Sequence, residues 1–218
     1  MNGNLICPLI RKVEGRLKEE KETRQKLLDS AKAEFLEKGY MNASLRNICK
    51  NAGVTTGALY FFFKDKEDLF GALVSEPLDQ LFAVMEKHYK EEAEEIDKDG
   101  LKVDFTSDYE MAGMLIHFMY QYYEEFQMIL TKSQGSKYEN CVDQCVELTE
   151  QHYRRVIDRI EKASGKQIFD EYTIHWFSHM EIDIFVKLLT HEPSEEAAMQ
   201  HLGIIMKYLI AGWHGLVS

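Results

Sequence analysis

The stretch Ala43-Ser-Leu-Arg-Asn-Ile-Cys-Lys-Asn-Ala-Gly-Val-Thr-Thr-Gly-Ala-Leu-Tyr-Phe-Phe-Phe-Lys-Asp-Lys-Glu-Asp-Leu69 holds two short helices and the turn between them. Ser44 stands as an N-cap before Leu45, Ile48, Cys49 and Ala52, whose spacing puts all four on one face of a helix of about two turns. Gly53 ends that helix by taking the left-handed conformation that other residues avoid. From Thr56 to Phe63 a second helix resumes, with Leu59, Phe62 and Phe63 able to face inward. A tight glycine-containing turn between two such helices predicts a helix-turn-helix. Asp65, with Asp68 three residues on, then caps a further helix with the stripe Leu69, Phe70, Leu73 and Val74.

Working outward, helical periodicity covers most of the chain. Upstream, Leu27, Leu28, Ala31, Phe35 and Leu36 line a helix over 21–38 that Gly39 terminates. Downstream, Pro77 predicts a kink or break, because proline removes a hydrogen bond and clashes with the preceding turn. The pattern resumes at Leu78, Leu81, Phe82, Met85 and Tyr89, dissolves in the acidic run Glu91–Glu95, and gives way to an expected loop over 97–106. Ser107 and Glu110 form a capping box before one helix or two reaching Ile129. Helices over 137–163, 171–190 and 195–217 complete the chain, the last capped by Ser194. With three prolines in 218 residues, the expected class is all-α.

Hydrophobic residues make up 45% of the chain, enough for a buried core, which excludes disorder and collagen-like structure. No apolar run approaches the ~18 residues of a membrane span, and the basic Arg11 and Lys12 follow the short apolar Leu5–Ile10 instead of preceding it as in a secretory signal. A cytoplasmic protein with no membrane partner is expected. The four cysteines show no secreted framework, so reduced thiols are the default. Net charge is −11, but residues 1–66 carry 13 Lys+Arg against 8 Asp+Glu, a balance of +5, leaving −16 on the remainder. The acidic total argues against a polyanionic partner, and the basic first third reverses that inference locally.

A recognition helix needs short polar groups at its N-terminus to approach a duplex, and Thr55, Thr56 and Gly57 meet that need. Ser44 offers a hydroxyl and backbone N–H groups to a phosphate, while Lys64, Lys66, Arg46, Lys50 and Arg24 lie within reach of the backbone. Many helical proteins contain a similar corner with no such role. The same stretch resembles the DNA-binding domain of the TetR family of bacterial transcriptional regulators, through an Ala-Gly-Val-(Ser/Thr)-x-Gly-x-(Leu/Tyr)-Tyr-x-(Tyr/His/Phe)-Phe-x-x-Lys pattern. The resemblance starts at Arg24-Gln-Lys-Leu-Leu-Asp-Ser-Ala, runs through Phe35-Leu-Glu-Lys-Gly-Tyr40 and reaches Leu69.

The resemblance implies that Thr55, Thr56 and Gly57 begin the groove-facing helix, that Tyr60 touches a phosphate near Lys64, and that Ser44 anchors the other strand. Lys66 is expected to pair locally. Phe61 departs from the more polar residue common there, and its ring either meets a thymine methyl or covers core. The DNA-binding set is Ser44, Arg46, Thr55, Thr56, Gly57, Tyr60, Phe61 and Lys64. The expected organisation is an N-terminal extension over 1–20, expected to be disordered or a basic arm, a helix-turn-helix domain over 21–66, and a ligand-sensing and dimerisation domain over 67–218 entered by a linking helix over 66–95.

For the larger half the resemblance implies a small-molecule inducer pocket and a homodimer built by the last two helices, 171–190 and 195–217. Ile204, Tyr208, Ile210 and Ala211 independently widen the apolar surface of the last helix beyond one stripe, as a subunit contact requires. A dimer would read a near-palindromic operator with recognition helices about 34 Å apart. In this picture a ligand tilts the linking helix, and Pro77 either sets that swing or merely bends the helix. Met111, Met114, Phe118, Met119, Tyr122 and Tyr123 form a stripe of adaptable cavity-lining types that is equally ordinary core. Glu181 lies among apolar residues and needs a partner: His175, Lys187, another subunit or a cationic ligand. Met114, Phe118, Tyr122, Cys145, Trp176 and Glu181 are the candidate ligand contacts.

His175 and His179, like Cys141 and Cys145, are spaced to put two metal ligands on one face, though chance gives such pairs readily. No metal or cofactor is expected. A disulfide between the two cysteines would be strained. The chain has no glycine-rich phosphate loop, no Gly-x-Ser-x-Gly turn and no His-Glu-x-x-His, so an enzyme is not expected. The alternative to a ligand-released repressor is a helical small-molecule or metal-binding protein without DNA-regulatory activity.

Overall fold

The computed structural model describes residues 8–99 and 105–217. Among them the chain is all-α: α1 (Pro8–Asn42), α2 (Leu45–Ala52), α3 (Thr56–Phe62), α4 (Lys66–Asp99), α5 (Phe105–Gln121), α6 (Tyr123–Lys132), α7 (Cys141–Ser164), α8 (Glu171–His191) and α9 (Glu195–Val217). They divide into two compact units, one up to Leu73 with Lys132–Ser136, the other Val74–Thr131 with the residues from Lys137 onward.

In the first unit, Leu27, Leu28, Ala31 and Phe35 of α1 bury against Ile48 and Cys49 of α2, Leu59 and Phe63 around α3, and Leu69 and Phe70 of α4. Phe35 meets Phe70 edge-on at 4.9 Å between ring centres, and the Ser30 hydroxyl donates to the Ile48 carbonyl at 2.9 Å, tying α1 to α2. Gly39, with φ 74° and ψ 162°, interrupts helical geometry within α1 where a terminator was expected. The Gly53 stop is as anticipated, at φ 69° and ψ 29°, with Val54 N–H closing on the Cys49 carbonyl at 3.0 Å. Ahead of α4, Asp65 and Asp68 form a reciprocal cap: Asp68 N–H donates to Asp65 Oδ1 at 2.8 Å and Lys64 N–H to Asp68 Oδ2 at 2.9 Å.

Several boundaries differ from expectation. α1 begins at Pro8, so residues 8–20, expected to lack fixed structure or to form a basic arm, extend the helix. Arg16–Glu20 at 3.1 Å and Lys18–Glu22 at 3.9 Å are i,i+4 pairs that favour that extension. Residues 1–7 lie outside the described residues. α4 runs unbroken through Pro77, which is itself buried between the buried Val74 and Leu78, so packing offsets the lost hydrogen bond. The same helix persists beyond the acidic run to Asp99, held by a Lys87–Glu91 pair and by Arg159, which donates to the Ala93 carbonyl at 3.0 Å. α5 starts at Phe105, so Ser107 sits inside its first turn and not before it; the stretch up to Ile129 is two helices.

Two apolar clusters form among the described residues of the second unit. One joins Ala112 and Ile116 of α5, Leu188 of α8 and Ala198, Leu202 and Met206 of α9. The other joins Val156, Ile157 and Ile160 of α7 to Ile174 of α8, with Tyr153, Phe169 and Trp213 against it. Asp170 caps α8 by accepting from Thr173 N–H at 2.8 Å, and Ser194 accepts from Ala197 N–H at 3.3 Å ahead of α9. No described helix is long and apolar enough to cross a membrane.

Candidate nucleic-acid interface and internal cavity

The turn between α2 and α3 presents its polar groups outward. Thr55 caps α3, its hydroxyl accepting from Ala58 N–H at 3.2 Å, and Thr55, Thr56 and Gly57 are all exposed. A Cβ added at Gly57 would meet only the Thr55 hydroxyl, at 3.8 Å, so nothing inside the fold demands glycine there. Tyr60 is 55% exposed and Phe61 67% exposed, which removes the core-covering alternative for Phe61. Its ring touches Phe62 edge-on at 4.9 Å. Arg46 and Lys64 are also exposed.

Other basic residues have structural work. Lys66 donates to the carbonyls of Met41 and Ala43, each at 3.1 Å, and lies 4.7 Å from the centre of the Tyr40 ring, so the expectation of local pairing holds. Burial lowers the pKa of its ammonium. Arg24 lies over the Phe63 ring at 5.4 Å. The Ser44 N–H, expected to be free for a phosphate, is taken by Glu34 at 3.1 Å, and the Ser44 hydroxyl makes no capping bond.

Within the second unit a cavity of about 290 Å³ lies among α4, α5, α7, α8 and α9. One part of its wall is polar. His152 Nε2 donates to Glu92 Oε2 at 3.0 Å, His88 Nε2 lies 3.4 Å from Asp108 Oδ1, and the Tyr153 hydroxyl donates to Glu181 Oε2. The His152 ring stacks on Tyr89 at 4.2 Å, and its Nδ1 is buried without a hydrogen-bond partner. Trp213, stacked on Tyr153 at 5.6 Å, and Phe177 supply aromatic wall; Met85, Met111, Met180 and Met206 supply adaptable apolar wall.

Electrostatics set two of the carboxylates, Glu181 and Glu92, apart. Burial pushes the Glu181 carboxyl up, and the Tyr153 hydroxyl and His152 only partly offset it. Burial acts the same way on Glu92, but hydrogen bonding and charge from His152, with charge from His88, outweigh it and hold Glu92 low. The hydrogen bond to Asp108 raises His88 against the opposing effect of burial.

Residues 27–73 match the family model described as bacterial regulatory proteins, tetR family. The first unit thus resembles the DNA-binding domain of that family. It is 51% identical over 55 residues to the transcriptional regulator AcrR of Shigella flexneri, across 25% of this chain and 26% of that protein. A fatty acid metabolism regulator of Bacillus subtilis is 34% identical over 77 residues, 35% of this chain and 40% of its own. A Staphylococcus aureus helix-turn-helix regulator is 30% identical over 113 residues, 52% of this chain and 54% of its own. These matches thus span about half or less of the curated relatives' lengths. The fold is shared more widely. A transcriptional regulator of Aquifex aeolicus superposes with TM-score 0.57 at 19% identity, covering 86% of this chain and 99% of that one. NalD of Pseudomonas aeruginosa, described as the secondary repressor of a multidrug efflux pump, superposes with TM-score 0.54 at 22% identity, covering 87% and 96%.

Of the expected ligand contacts, Trp176 and Glu181 line the 290 Å³ cavity. Cys145 lines a smaller one of about 50 Å³, which also touches Glu181. Met114, Phe118 and Tyr122 line neither: Met114 is 57% exposed on the outer face of α5, and Phe118 packs against Tyr122 and Phe126 at 5.2 and 5.9 Å. Met111, from the same stripe, does line the larger cavity. Glu181 pairs with Tyr153, while His175 is held by Glu150 at 2.8 Å. Cys141 and Cys145 are buried free thiols, raised by burial to about 11 and about 12. Among the described residues, His88, Glu92 and Asp108 form the group whose possible metal-ligand atoms lie within 4.8 Å of one another. The His175/His179 and Cys141/Cys145 pairs do not come together in such a group. Sequence reasoning missed Glu34, His88, Glu92, Asp108 and Tyr153; the i,i+4 spacing of His88 and Glu92 on α4 was the available signal.

Proposed function

We propose that the protein is a transcriptional repressor that binds a near-palindromic operator as a homodimer and releases it when a small molecule enters the cavity of the second unit. The observation that carries this reading is the outward face at the start of α3. Thr55, Thr56, Gly57, Tyr60, Phe61 and Lys64 are exposed, which leaves short polar groups, two aromatic side chains and a cation on one face open to a duplex. Ser44 contributes through its hydroxyl and Arg46 as a backbone cation. For dimerisation, Ile204 is 68% exposed and Tyr208 73% exposed on α9, the apolar excess that a second copy would cover through α8 and α9. Coupling runs through α4, whose first turns belong to the first unit and whose later turns carry His88, Tyr89 and Glu92 of the cavity wall. AcrR, matched over the DNA-binding stretch, is named a transcriptional regulator, which supports the DNA-binding part of this reading.

Binding to the DNA beside the protein's own gene, measured across salt concentrations against a random duplex, tests it. A regulator loses affinity steeply as salt rises and prefers its site over random DNA by about a thousandfold or more. Equal weak binding to both, or none, would leave a ligand-binding protein without regulatory activity.

A further inference from the structure

We propose that the cavity of the second unit takes an organic cation, an ammonium or related onium with an aromatic or aliphatic body, whose charge pairs with Glu181. This rests on the reading of that cavity as the effector site. Among the described residues its wall includes three carboxylates, Glu92, Asp108 and Glu181, and no lysine or arginine. Two of the three are balanced within the fold, Glu92 by His152 at 3.0 Å and Asp108 by His88 at 3.4 Å. Among the described residues the hydrogen bond that Glu181 accepts comes from the neutral Tyr153 hydroxyl, and the cation nearest in effect, His152, is itself paired with Glu92. A carboxylate walled into an apolar site without a cation is costly to ionise, and a guest cation removes that cost.

The neighbouring groups fit the same guest. Tyr153 stacks with Trp213 at 5.6 Å and 23°, so the side chain that holds Glu181 also belongs to an aromatic pair whose faces attract cations. A volume of about 290 Å³ suits one compact molecule with an apolar body. An anionic guest would add a fourth negative group to a wall whose described residues include no lysine or arginine. A divalent metal at His88, Glu92 and Asp108 would compete for histidine nitrogens already engaged with carboxylates and leave Glu181 unbalanced.

Calorimetric titration of the full chain with tetraphenylphosphonium and tetraphenylborate, alike in shape and opposite in charge, tests the proposal. Benzyltrimethylammonium serves as a smaller cation, decanoate as a carboxylate and zinc chloride as the metal. The expected result is saturable binding of at least one organic cation, at least tenfold tighter than tetraphenylborate or decanoate. Glu181→Gln should remove that charge preference, Glu181→Asp should keep it, and Met114→Ala on the outer face of α5 should leave it unchanged. Equal binding of the borate or decanoate, an undiminished preference in Glu181→Gln, or binding of zinc with neither organic cation would overturn the proposal. Release of the gene-adjacent DNA is followed separately. Cation binding without release supports the ligand class and refutes induction, whereas DNA binding with no affinity for either cation refutes the ligand class and leaves the regulator standing.

Discussion

Glu34 of α1 accepts the backbone N–H of Ser44 at 3.1 Å and the side-chain amide of Asn47 at 3.3 Å, so a buried carboxylate closes the start of α2 from another helix. This is the orphaned end of a short helix satisfied at long range instead of by its own N-cap serine. Glu34→Ala should therefore lower unfolding free energy by about 1–3 kcal/mol, read from denaturant titration, and Ser44→Ala should cost less. Equal costs for the two would show that the serine hydroxyl does the capping in solution.

Gly57 separates fold from function. Glycine at an early helical position with open space for a Cβ costs stability, so Gly57→Ala should raise the unfolding free energy by about 0.5 kcal/mol. It should also weaken operator binding at least tenfold, by adding a methyl where the duplex approaches. A variant both more stable and fully competent in gel-shift titration would remove Gly57 from the interface.

Lys64 should behave as a pure phosphate contact. Lys64→Ala should weaken specific and random DNA alike and reduce the slope of log affinity against log salt by about 1, with no change in melting temperature. Lys66→Ala, which breaks the links to Met41 and Ala43, should instead destabilise the first unit.

Glu181 makes stability depend on pH in a direction opposite to most carboxylates. Its carboxyl is raised in the folded protein by burial, so its favourable contribution is complete below the ordinary glutamate value and is lost as pH rises through the raised one. Glu181→Gln should then raise the melting temperature at neutral pH, with the difference fading toward about pH 4. A difference constant between pH 4 and 8 would show that the carboxyl is not perturbed.

The cysteines of α7 should be inert. With thiols at about 11 and about 12, Cys141 and Cys145 carry almost no thiolate at neutral pH and are buried. Peptide mapping after alkylation at pH 7.5 should find both unmodified until denaturant is added. Rapid native labelling of either would reopen a redox role.

What the sequence made legible was local. The caps at Asp65 and Ser194, the stop at Gly53 and the inward Leu59 and Phe63 each depend on a few neighbouring residues, and all appear as expected. The cavity wall is assembled from five helices, and periodicity tells which residues share a face without telling what that face meets. Met111 and Met114 show the limit: three positions apart on α5, one lines the cavity and the other is in water. Pro77 shows another, since its local penalty was plain but the buried residues that outweigh it were not.

Phe61 carries a thermodynamic consequence. Left largely in water at the end of a seven-residue helix, its ring keeps a shell of ordered solvent until another surface covers it. Complex formation that buries this ring adds a negative heat-capacity increment, so the enthalpy of association becomes more exothermic on warming, and Phe61→Ser flattens that temperature slope.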